Sequence, residues 1–323
     1  MGEKLIIHHW DTDGICSASI LLKNLNGETK TVIPKIGNYF LTDEEIDRYL
    51  EYGEIYIVDI ALPEDNIKQL AEHARVTIFD HHMQKPIENI NHINPIAYGA
   101  AQEDFPSATW VLKEYFNEDE GLLVILGIVG DNEHKIKDNR RFYDIVQRFC
   151  RNYSIDFDDL VKATYLIDSN YKLGKKEDVE RLPLIIRDMN LEDILTNREW
   201  NKNLEILEKE IGKIVNDKNL GEKRGNVIVV DVDIPYNIIS TVTRRIAWNT
   251  NRDVVVVNRG FFEDRDQIYV RSSRINLTNL IDEVKRLGCN AGGKKSVVGI
   301  ITSKKKTDEV IDRIVEFLEG KRW

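Results

Sequence analysis

Cysteines are few in this 323-residue chain, and long apolar runs are absent. The three cysteines, Cys16, Cys150 and Cys289, form no CxxC pair and no even set, which is typical of a reducing compartment. The longest apolar stretch, residues 121–130, is far shorter than the roughly 20 residues that a membrane-spanning helix needs. The start of the sequence lacks the basic, long apolar and small-residue regions of a signal peptide. We therefore expect a cytoplasmic protein that does not cross a membrane.

A surplus of positive charge is also lacking, because 45 basic residues are outnumbered by 55 acidic ones. The net charge of −10 argues against a chain that binds nucleic acid over its whole surface. The charge is unevenly distributed, since residues 258–323 hold 14 basic and 10 acidic residues. An acidic first part suits divalent cations, and a mildly basic second part suits a phosphorylated ligand. The simpler alternative is that this imbalance reflects solvated surface alone.

The length predicts two domains, each large enough to bury its own core. Short β-branched runs alternate with helical patterns, which is typical of a parallel sheet covered by helices. We expect an α/β fold with its active site in the cleft between two domains. The predicted parts are a parallel-sheet catalytic domain (residues 1–190), a helical connector (191–223) and a smaller α/β substrate-binding domain (224–323).

Individual elements follow from the same patterns. In the first domain we predict strands at residues 4–10, 31–36, 55–60 and 76–79, and helices at 14–24, 43–52, 64–73, 107–116 and 121–130. Mostly charged helix is expected between residues 160 and 221. In the second domain we predict strands at residues 226–232, 253–258, 267–270 and 296–301, and helices at 277–287 and 308–318.

Acidic and histidine residues follow several of the apolar runs. The first predicted strand leads into Asp11 and Asp13, and the third ends at Asp59. Phe79 is followed by Asp80, His81 and His82, and a further apolar run, residues 122–129, is followed by Asp131. Ligands gather beyond the carboxyl ends of strands in an open α/β sheet. One such aspartate is more simply a turn residue or a helix cap, but four such termini together predict a site.

Carboxylates combined with imidazoles suit two divalent ions, roughly 3.5 to 4 Å apart, that share an oxygen ligand. Such a pair of ions can activate water and stabilise charge on a phosphorus centre. The sequence therefore predicts hydrolysis of phosphate esters or anhydrides.

The ordered motifs resemble those of the DHH-family phosphoesterases, whose members include RecJ-like exonucleases, nanoRNases and cyclic-dinucleotide phosphodiesterases. The motifs are His9-Trp10-Asp11-Thr12-Asp13-Gly14, then Asp59, then Asp80-His81-His82, and finally Asp131. The resemblance implies two bound metal ions, most simply manganese, with magnesium as an alternative. It implies one ion on His9, Asp11 and a bridging Asp59, and the other on Asp13, Asp59, His81 and Asp131. It also implies a catalytic pair, in which Asp80 supports the imidazoles and His82 touches the scissile phosphate.

The second domain resembles the DHH-associated C-terminal domain, on residues 269–273 and 290–299. The resemblance implies that substrate is bound by Arg271, Ser272, Gly292, Gly293 and Lys294. Glycines let backbone amides approach a phosphate, and an arginine can bind it through two hydrogen bonds. Where the family has a glycine triplet followed by histidine, this chain reads Ala-Gly-Gly-Lys at residues 291–294, so a preference taken from histidine-bearing relatives does not transfer directly. The alternative is a glycine turn with solvated lysines.

Three functions are compatible with these patterns. The first is an exonuclease that acts on single-stranded DNA or RNA, or on short oligonucleotides, and releases mononucleotides. The second is a hydrolase of small nucleotides, such as cyclic dinucleotides or bisphosphorylated adenosine. The third is a non-catalytic replication scaffold, because some DHH relatives have lost their metal ligands, whereas every motif residue is present here. Replication or repair proteins are candidate partners, and the sequence does not specify the oligomeric state.

Overall fold

The structure, a computed structural model, describes residues 3–217 and 219–320. It divides into two compact units. The first unit runs to Tyr171 and includes Lys175–Leu204, and the second contains Lys172–Gly174 and the chain from Glu205 onward. The helical connector predicted over residues 191–223 is therefore shared between the units. Within the described ranges, no helix is both long enough and apolar enough to cross a membrane.

Five parallel strands form the sheet of the first unit. They are β1 (Lys4–His8), β2 (Thr29–Val32), β3 (Glu54–Val58), β4 (Arg75–Phe79) and β5 (Asn91–Ile93). Their order in the sheet is β2-β1-β3-β4-β5. The chain leaves β1 toward β2 on one side and leaves β3 toward β4 on the other. This reversal opens a crevice beyond the carboxyl ends of β1 and β3, where ligands bind in open α/β sheets.

Helices surround the first sheet. They are α1 (Thr12–Asn24), α2 (Asp43–Tyr49), α3 (Glu64–Ala71), α4 (Ala108–Phe116), α5 (Leu122–Asn132), α6 (Arg140–Tyr153), α7 (Phe157–Lys172), α8 (Lys176–Ile186), α9 (Leu191–Leu195) and α10 (Arg198–Val215). The last of them, α10, continues from Glu205 into the second unit.

The central helix of this unit is α1, which follows directly after β1. Every residue from Thr12 to Leu21 is buried, because α1 packs against β1, α4, α5 and α8. A helix that is buried on all sides has little freedom to move relative to its neighbours. The first motif therefore begins on a rigid part of the fold.

A mixed sheet forms the centre of the second unit. Its strands are β6 (Glu222–Arg224), β7 (Val227–Val232), β8 (Asp253–Asn258), β9 (Arg265–Arg271), β10 (Asn290–Lys294) and β11 (Val297–Ser303). Its helices are α11 (Ile239–Thr250), α12 (Thr278–Arg286) and α13 (Thr307–Leu318).

The strand order of the second sheet is β10-β11-β9-β8-β7-β6. Strands β7 and β8 pair in parallel, and the other pairs are antiparallel. Val254 and Val256 on one face pack with residues of α11 and the second half of α10. Ile268 and Val298 on the other face pack with residues of α12 and α13. The predicted α/β class, a parallel-sheet domain plus a smaller α/β domain, is confirmed.

Two segments near the predicted site residues differ in how far the structure agrees with the sequence. The helix predicted over residues 121–130 is present as α5, so Asp131 lies in the last turn of a helix. Residues 290–294, for which no strand was predicted, form β10 and pair with β11. The hairpin is favoured because Gly292 faces Gly299 across the pair, while Ala291 packs into the core opposite Ile300.

Candidate metal centre

The first motif lies where β1 gives way to α1. Asp11 caps the helix, and its carboxylate accepts a hydrogen bond from the Gly14 backbone N–H at 3.2 Å. A Cβ atom at position 14 would lie 2.4 Å from the carbonyl oxygen of His9, so glycine is required by close approach. This tight corner brings His9 Nδ1 within 2.8 Å of the Asp11 carboxylate.

Asp13 points into the crevice from the first turn of α1. Its two oxygens accept hydrogen bonds from the backbone N–H groups of Ala108 at 2.6 Å and Thr109 at 3.1 Å. These amides belong to the first turn of α4, where the helix dipole favours a negative charge. The carboxylate is therefore fixed by two elements before any ligand binds.

Asp59 follows β3 in a left-handed backbone conformation, with φ at 59°. That conformation costs a non-glycine residue on the order of 1 kcal/mol, although aspartate tolerates it better than most residues. The Asp59 backbone N–H donates to the Phe79 carbonyl oxygen at 3.0 Å, which ties the strained residue to the end of β4. Its carboxylate lies between His9 Nδ1, at 3.8 Å, and His81 Nε2, at 3.4 Å.

The DHH tripeptide follows β4, and its three side chains take different positions. Asp80 is buried and accepts from the His81 backbone N–H at 2.8 Å, and the same oxygen lies 2.7 Å from His82 Nδ1. His81 Nδ1 lies 3.2 Å from the Phe105 carbonyl oxygen. Since a carbonyl can only accept, Nδ1 carries a hydrogen and Nε2 faces the carboxylates. His82 is half exposed and reaches solvent at the edge of the crevice.

Asp131 enters the site from the last turn of α5. One of its oxygens lies 3.1 Å from His81 Nε2. Gly127, one turn earlier on α5, lies against the first motif, because a Cβ there would be 2.4 Å from an Asp13 oxygen. Close packing of α5 on α1 and α4 therefore positions Asp131.

Among the described residues, three groups of side chains bring their ligand atoms within 4.8 Å of one another and could hold a metal ion. They are His9, Asp11 and Asp59; Asp13, His81 and Asp131; and Asp59, His81 and His82. Asp59 and His81 are each common to two of these groups. The structure thus brings together the six residues predicted from the sequence as metal ligands.

Burial and mutual repulsion raise the pKa values of two of these carboxylates. Burial, followed by the nearby Asp131 carboxylate, raises the pKa of Asp13 to about 7. Burial and the charges of Asp13 and Asp11 raise the pKa of Asp59 well above its usual range. Burial opposes the charging of His81, yet Asp131 and Asp59 hold its pKa well above normal. A cluster that favours extra protons in this way is short of positive charge, which a divalent cation would supply.

Unpartnered atoms support the same fit. Both Asp59 oxygens, His81 Nε2 and His9 Nε2 are buried and have no hydrogen-bond partner. A buried polar atom without a partner is costly, and a carboxylate more so. Mixed oxygen and imidazole donors suit manganese or a similar transition ion, and carboxylates also suit magnesium. The donor set present is therefore able to bind metal.

Some contacts of the site have no motif to reveal them in the sequence. Asp168 on α7 accepts hydrogen bonds from Thr12, through the backbone N–H at 3.0 Å and the hydroxyl at 2.7 Å. Gln84 donates to the second Asp80 oxygen at 2.9 Å. His8 joins none of the three ligand groups, as the alternation of the strand predicts, and burial lowers its pKa to about 4.

The predicted substrate-binding residues lie in the second unit. Arg271 and Lys294 both lie opposite Val297 in the sheet register, so their side chains leave the same face. Gly292 has open space beside it, whereas a Cβ at Gly293 would meet the Val297 carbonyl oxygen at 2.2 Å.

Ser272 is the one predicted substrate-binding residue whose hydroxyl group has several contacts within its own unit. It is buried, its hydroxyl donates to Asp253 at 2.7 Å, and it accepts from the backbone N–H groups of Arg274 and Ile275. These contacts occupy the hydroxyl group inside the unit, so Ser272 has a structural role.

Comparison with known proteins gives a family match and several similar folds. Residues 4–139 match the model of the DHH family, N-terminal domain. No curated protein matches the sequence. The RecJ of Thermus thermophilus in complex with Mn²⁺ aligns with a TM-score of 0.70 at 18% identity, over 99% of this chain and 52% of that one. The chain thus spans about half the length of that RecJ.

Two further structures resemble the chain over almost its whole length. An exonuclease RecJ bound to manganese aligns with a TM-score of 0.68 at 18% identity, over 98% of this chain and 90% of that one. The pGpG-specific phosphodiesterase PggH from Vibrio aligns with a TM-score of 0.56 at 14% identity, over 99% of this chain and 100% of that one. Identities this low show a shared fold.

Proposed function

Because residues 4–139 match the model of the DHH family, N-terminal domain, we propose that the chain is a phosphodiesterase of this family that depends on two metal ions. Its proposed substrates are single-stranded nucleic acid or short oligonucleotides, from which it releases mononucleotides as an exonuclease. The observation that supports this proposal best is the cluster around Asp59, where buried ligand atoms from several elements converge without hydrogen-bond partners.

The proposed metal ligands are the six residues at the carboxyl edge of the first sheet. His9, Asp11 and Asp59 would hold one ion, and Asp13, His81 and Asp131 would hold the other. Asp59, whose carboxylate lies 3.4 Å from His81 Nε2, is proposed to serve both ions. Two ions bound there would supply Lewis acidity toward a phosphoryl oxygen and would activate a water molecule. The protein fixes these ligands in advance, through the capping role of Asp11 and the α4 amides that bind Asp13.

His82 is proposed to contact the scissile phosphate. With Nδ1 held by the Asp80 carboxylate, Nε2 is the ring atom left to face a ligand. A protonated imidazole donates a hydrogen bond there to a phosphate oxygen, and its charge balances the charge that develops on phosphorus. Asp80 acts through His82, by holding the ring in one orientation.

A second candidate substrate class is the small nucleotides, such as cyclic dinucleotides. This alternative draws support from the likeness to PggH, which the chain matches over that protein's full length. The net charge of −10 also suits a compact ligand better than a long polyanion. A non-catalytic replication scaffold is disfavoured, because all the motif carboxylates and imidazoles are present and lie together.

Product analysis tests these alternatives. The full chain is incubated with manganese and end-labelled DNA and RNA oligomers of several lengths, and in parallel with cyclic dinucleotides. Mononucleotide release that persists as the oligomer grows supports the exonuclease. Turnover confined to dinucleotides assigns the small-nucleotide activity, and absence of turnover with every substrate contradicts the enzymatic proposal.

A further inference from the structure

Trp248, on α11 in the second unit, differs from the buried tryptophans of the chain. Its exposed fraction is 65%, whereas Trp10, Trp110 and Trp200 are 3 to 4% exposed. A large ring in contact with solvent contributes little to the folding free energy through burial. One exposed apolar residue does not by itself indicate a binding site, so the residues around the ring must be considered.

Two arginines from different elements converge on this ring. The Arg244 guanidinium lies 5.5 Å from the centre of the Trp248 ring, and the Arg271 guanidinium lies 5.9 Å from it. Arg244 is four residues before Trp248 on α11, so both side chains leave the same helix face. Arg271 comes from the end of β9. Because α11 and β9 are separate in the sequence, the two arginines meet the ring only in the folded unit.

The next residue of α11 is also an arginine. The Arg245 guanidinium binds the Glu208 carboxylate through two nitrogens, at 2.8 and 2.6 Å. That arginine links α11 to α10 as an ordinary surface ion pair. Arg244 and Arg245 are thus adjacent residues of equal charge, of which Arg244 lies against the Trp248 ring and Arg245 lies against Glu208.

The sheet surface next to Trp248 is low and basic. Arg271 and Lys294 leave the same face of the sheet, on either side of Val297. Further along that face Gly292 is paired with Gly299, and a Cβ added at Gly292 would meet nothing within 4 Å. The Tyr269 ring lies beside Gly299 on this face, whereas the space above Gly292 is open to a flat or extended ligand.

We propose that Trp248 is a stacking residue for a nucleobase, and that Arg244 and Arg271 bind the phosphates flanking that base. An aromatic ring beside cationic groups is the arrangement that binds single-stranded nucleic acid without sequence preference, because every base has a flat face to stack. The inference rests on the proposed function, and it names the base and its flanking phosphates as what the second unit recognises.

Binding to two matched oligomers tests the inference. Anisotropy titrations use the full chain in EDTA, to prevent hydrolysis, with a labelled thymidine oligomer and an abasic oligomer of equal length and charge. Trp248→Leu is expected to weaken binding of the thymidine oligomer at least about fivefold, the lower end of the effect of losing one stacked base. Binding of the abasic oligomer should change less than about twofold, because it has no base to stack. Trp248→Phe should restore most of the difference.

Charge and surface controls complete the design. Arg244→Gln should weaken binding of both oligomers more than Arg245→Gln does, although each variant loses one positive charge from the same helix. Tyr153→Leu, which removes a ring of equal exposure in the first unit, should leave binding unchanged.

If Trp248→Leu weakens binding of the thymidine and abasic oligomers equally, or weakens binding of neither, the stacking role is overturned. Equal effects of the two arginine variants would overturn the role of Arg244. Hydrolysis by the wild type in manganese is measured separately. If the wild type hydrolyses oligomers and the Trp248→Leu variant binds them normally, the proposed function stands and the stacking role of Trp248 is refuted.

Discussion

Asp59 combines two unfavourable features, a left-handed backbone and a buried carboxylate close to other carboxylates. Asparagine tolerates the same backbone conformation and removes the charge. We therefore expect Asp59→Asn to abolish metal-dependent hydrolysis and to raise the melting temperature of the metal-free protein by about 2 to 4 °C, equivalent to about 1 kcal/mol.

Thermal unfolding in EDTA and hydrolysis in manganese measure the two effects. Asp47→Asn, at an exposed position of α2, is the control and should change neither. An Asp59→Asn protein that keeps substantial manganese-dependent activity would contradict the proposed bridging role.

Asp80 differs from the proposed metal ligands, because its oxygens accept hydrogen bonds from His82, Gln84 and a backbone amide. Asp80→Asn leaves the shape similar but replaces one acceptor oxygen with an amide donor, which disfavours the present His82 orientation. We expect kcat to fall about 10- to 100-fold with manganese affinity changed much less, as for residues that orient a functional group. Steady-state kinetics over a range of manganese concentrations make the distinction. A loss that excess manganese reverses would assign Asp80 to metal retention.

At the scale of elements, close packing of α5 on α1 and α4 places Asp131. A Cβ at Gly127 would lie 2.1 Å from the Thr109 hydroxyl oxygen and 2.4 Å from an Asp13 oxygen. Gly127→Ala should therefore lower the free energy of unfolding by about 1 to 3 kcal/mol and weaken manganese binding, because α5 must move away.

Gly212→Ala in α10 is the matched helical control. Its nearest neighbour would be 3.9 Å from the new Cβ, so alanine should stabilise the protein by up to about 1 kcal/mol. Chemical denaturation of both variants checks the opposite signs. A neutral Gly127→Ala variant would show that α5 is not packed as tightly as the distances indicate.

The elements also show which parts of the site the sequence could predict. Asp59 and Asp80 follow short β-branched runs, and the carboxyl ends of parallel strands meet at one edge, so their convergence was predictable. The apolar run before Asp131, residues 122–129, was predicted to lie in a helix and does so, but because it is apolar on all sides its pattern does not show which face meets the strand ends. Strand β10 was missed because glycine weakens strands, and the pairing with β11 overrides that preference.

Contacts between distant parts of the sequence were beyond prediction for a different reason. The bond from Thr12 to Asp168 joins the first motif to α7, and no local pattern distinguishes Asp168 within a charged helix. Arg244 and Trp248 meet Arg271 only because α11 packs on β9, and α11 itself is rich in β-branched residues that favour strands.

At the scale of the whole molecule, the proposed metal ligands all lie in the first unit, because every one of them precedes Tyr171. A ligand that binds only the folded state stabilises it, by about 2.7 kcal/mol at a concentration one hundred times its Kd. Manganese should therefore raise the unfolding temperature of the first unit more than that of the second. Hydrogen exchange should show added protection at the ends of β1, β3 and β4, with little change in β7 to β9.

The identity of the ion and the position of its ligands can be tested in the same measurement. Calcium should stabilise the first unit less than manganese, because it prefers oxygen ligands alone and this site includes the imidazoles of His9 and His81. Asp59→Asn should remove most of the manganese effect, whereas Arg244→Gln, in the second unit, should leave it intact. Equal stabilisation by calcium would point to a site of carboxylates without the imidazoles. Manganese protection centred on β7 to β9 would place the ion in the second unit and contradict the assignment to the edge of the first sheet.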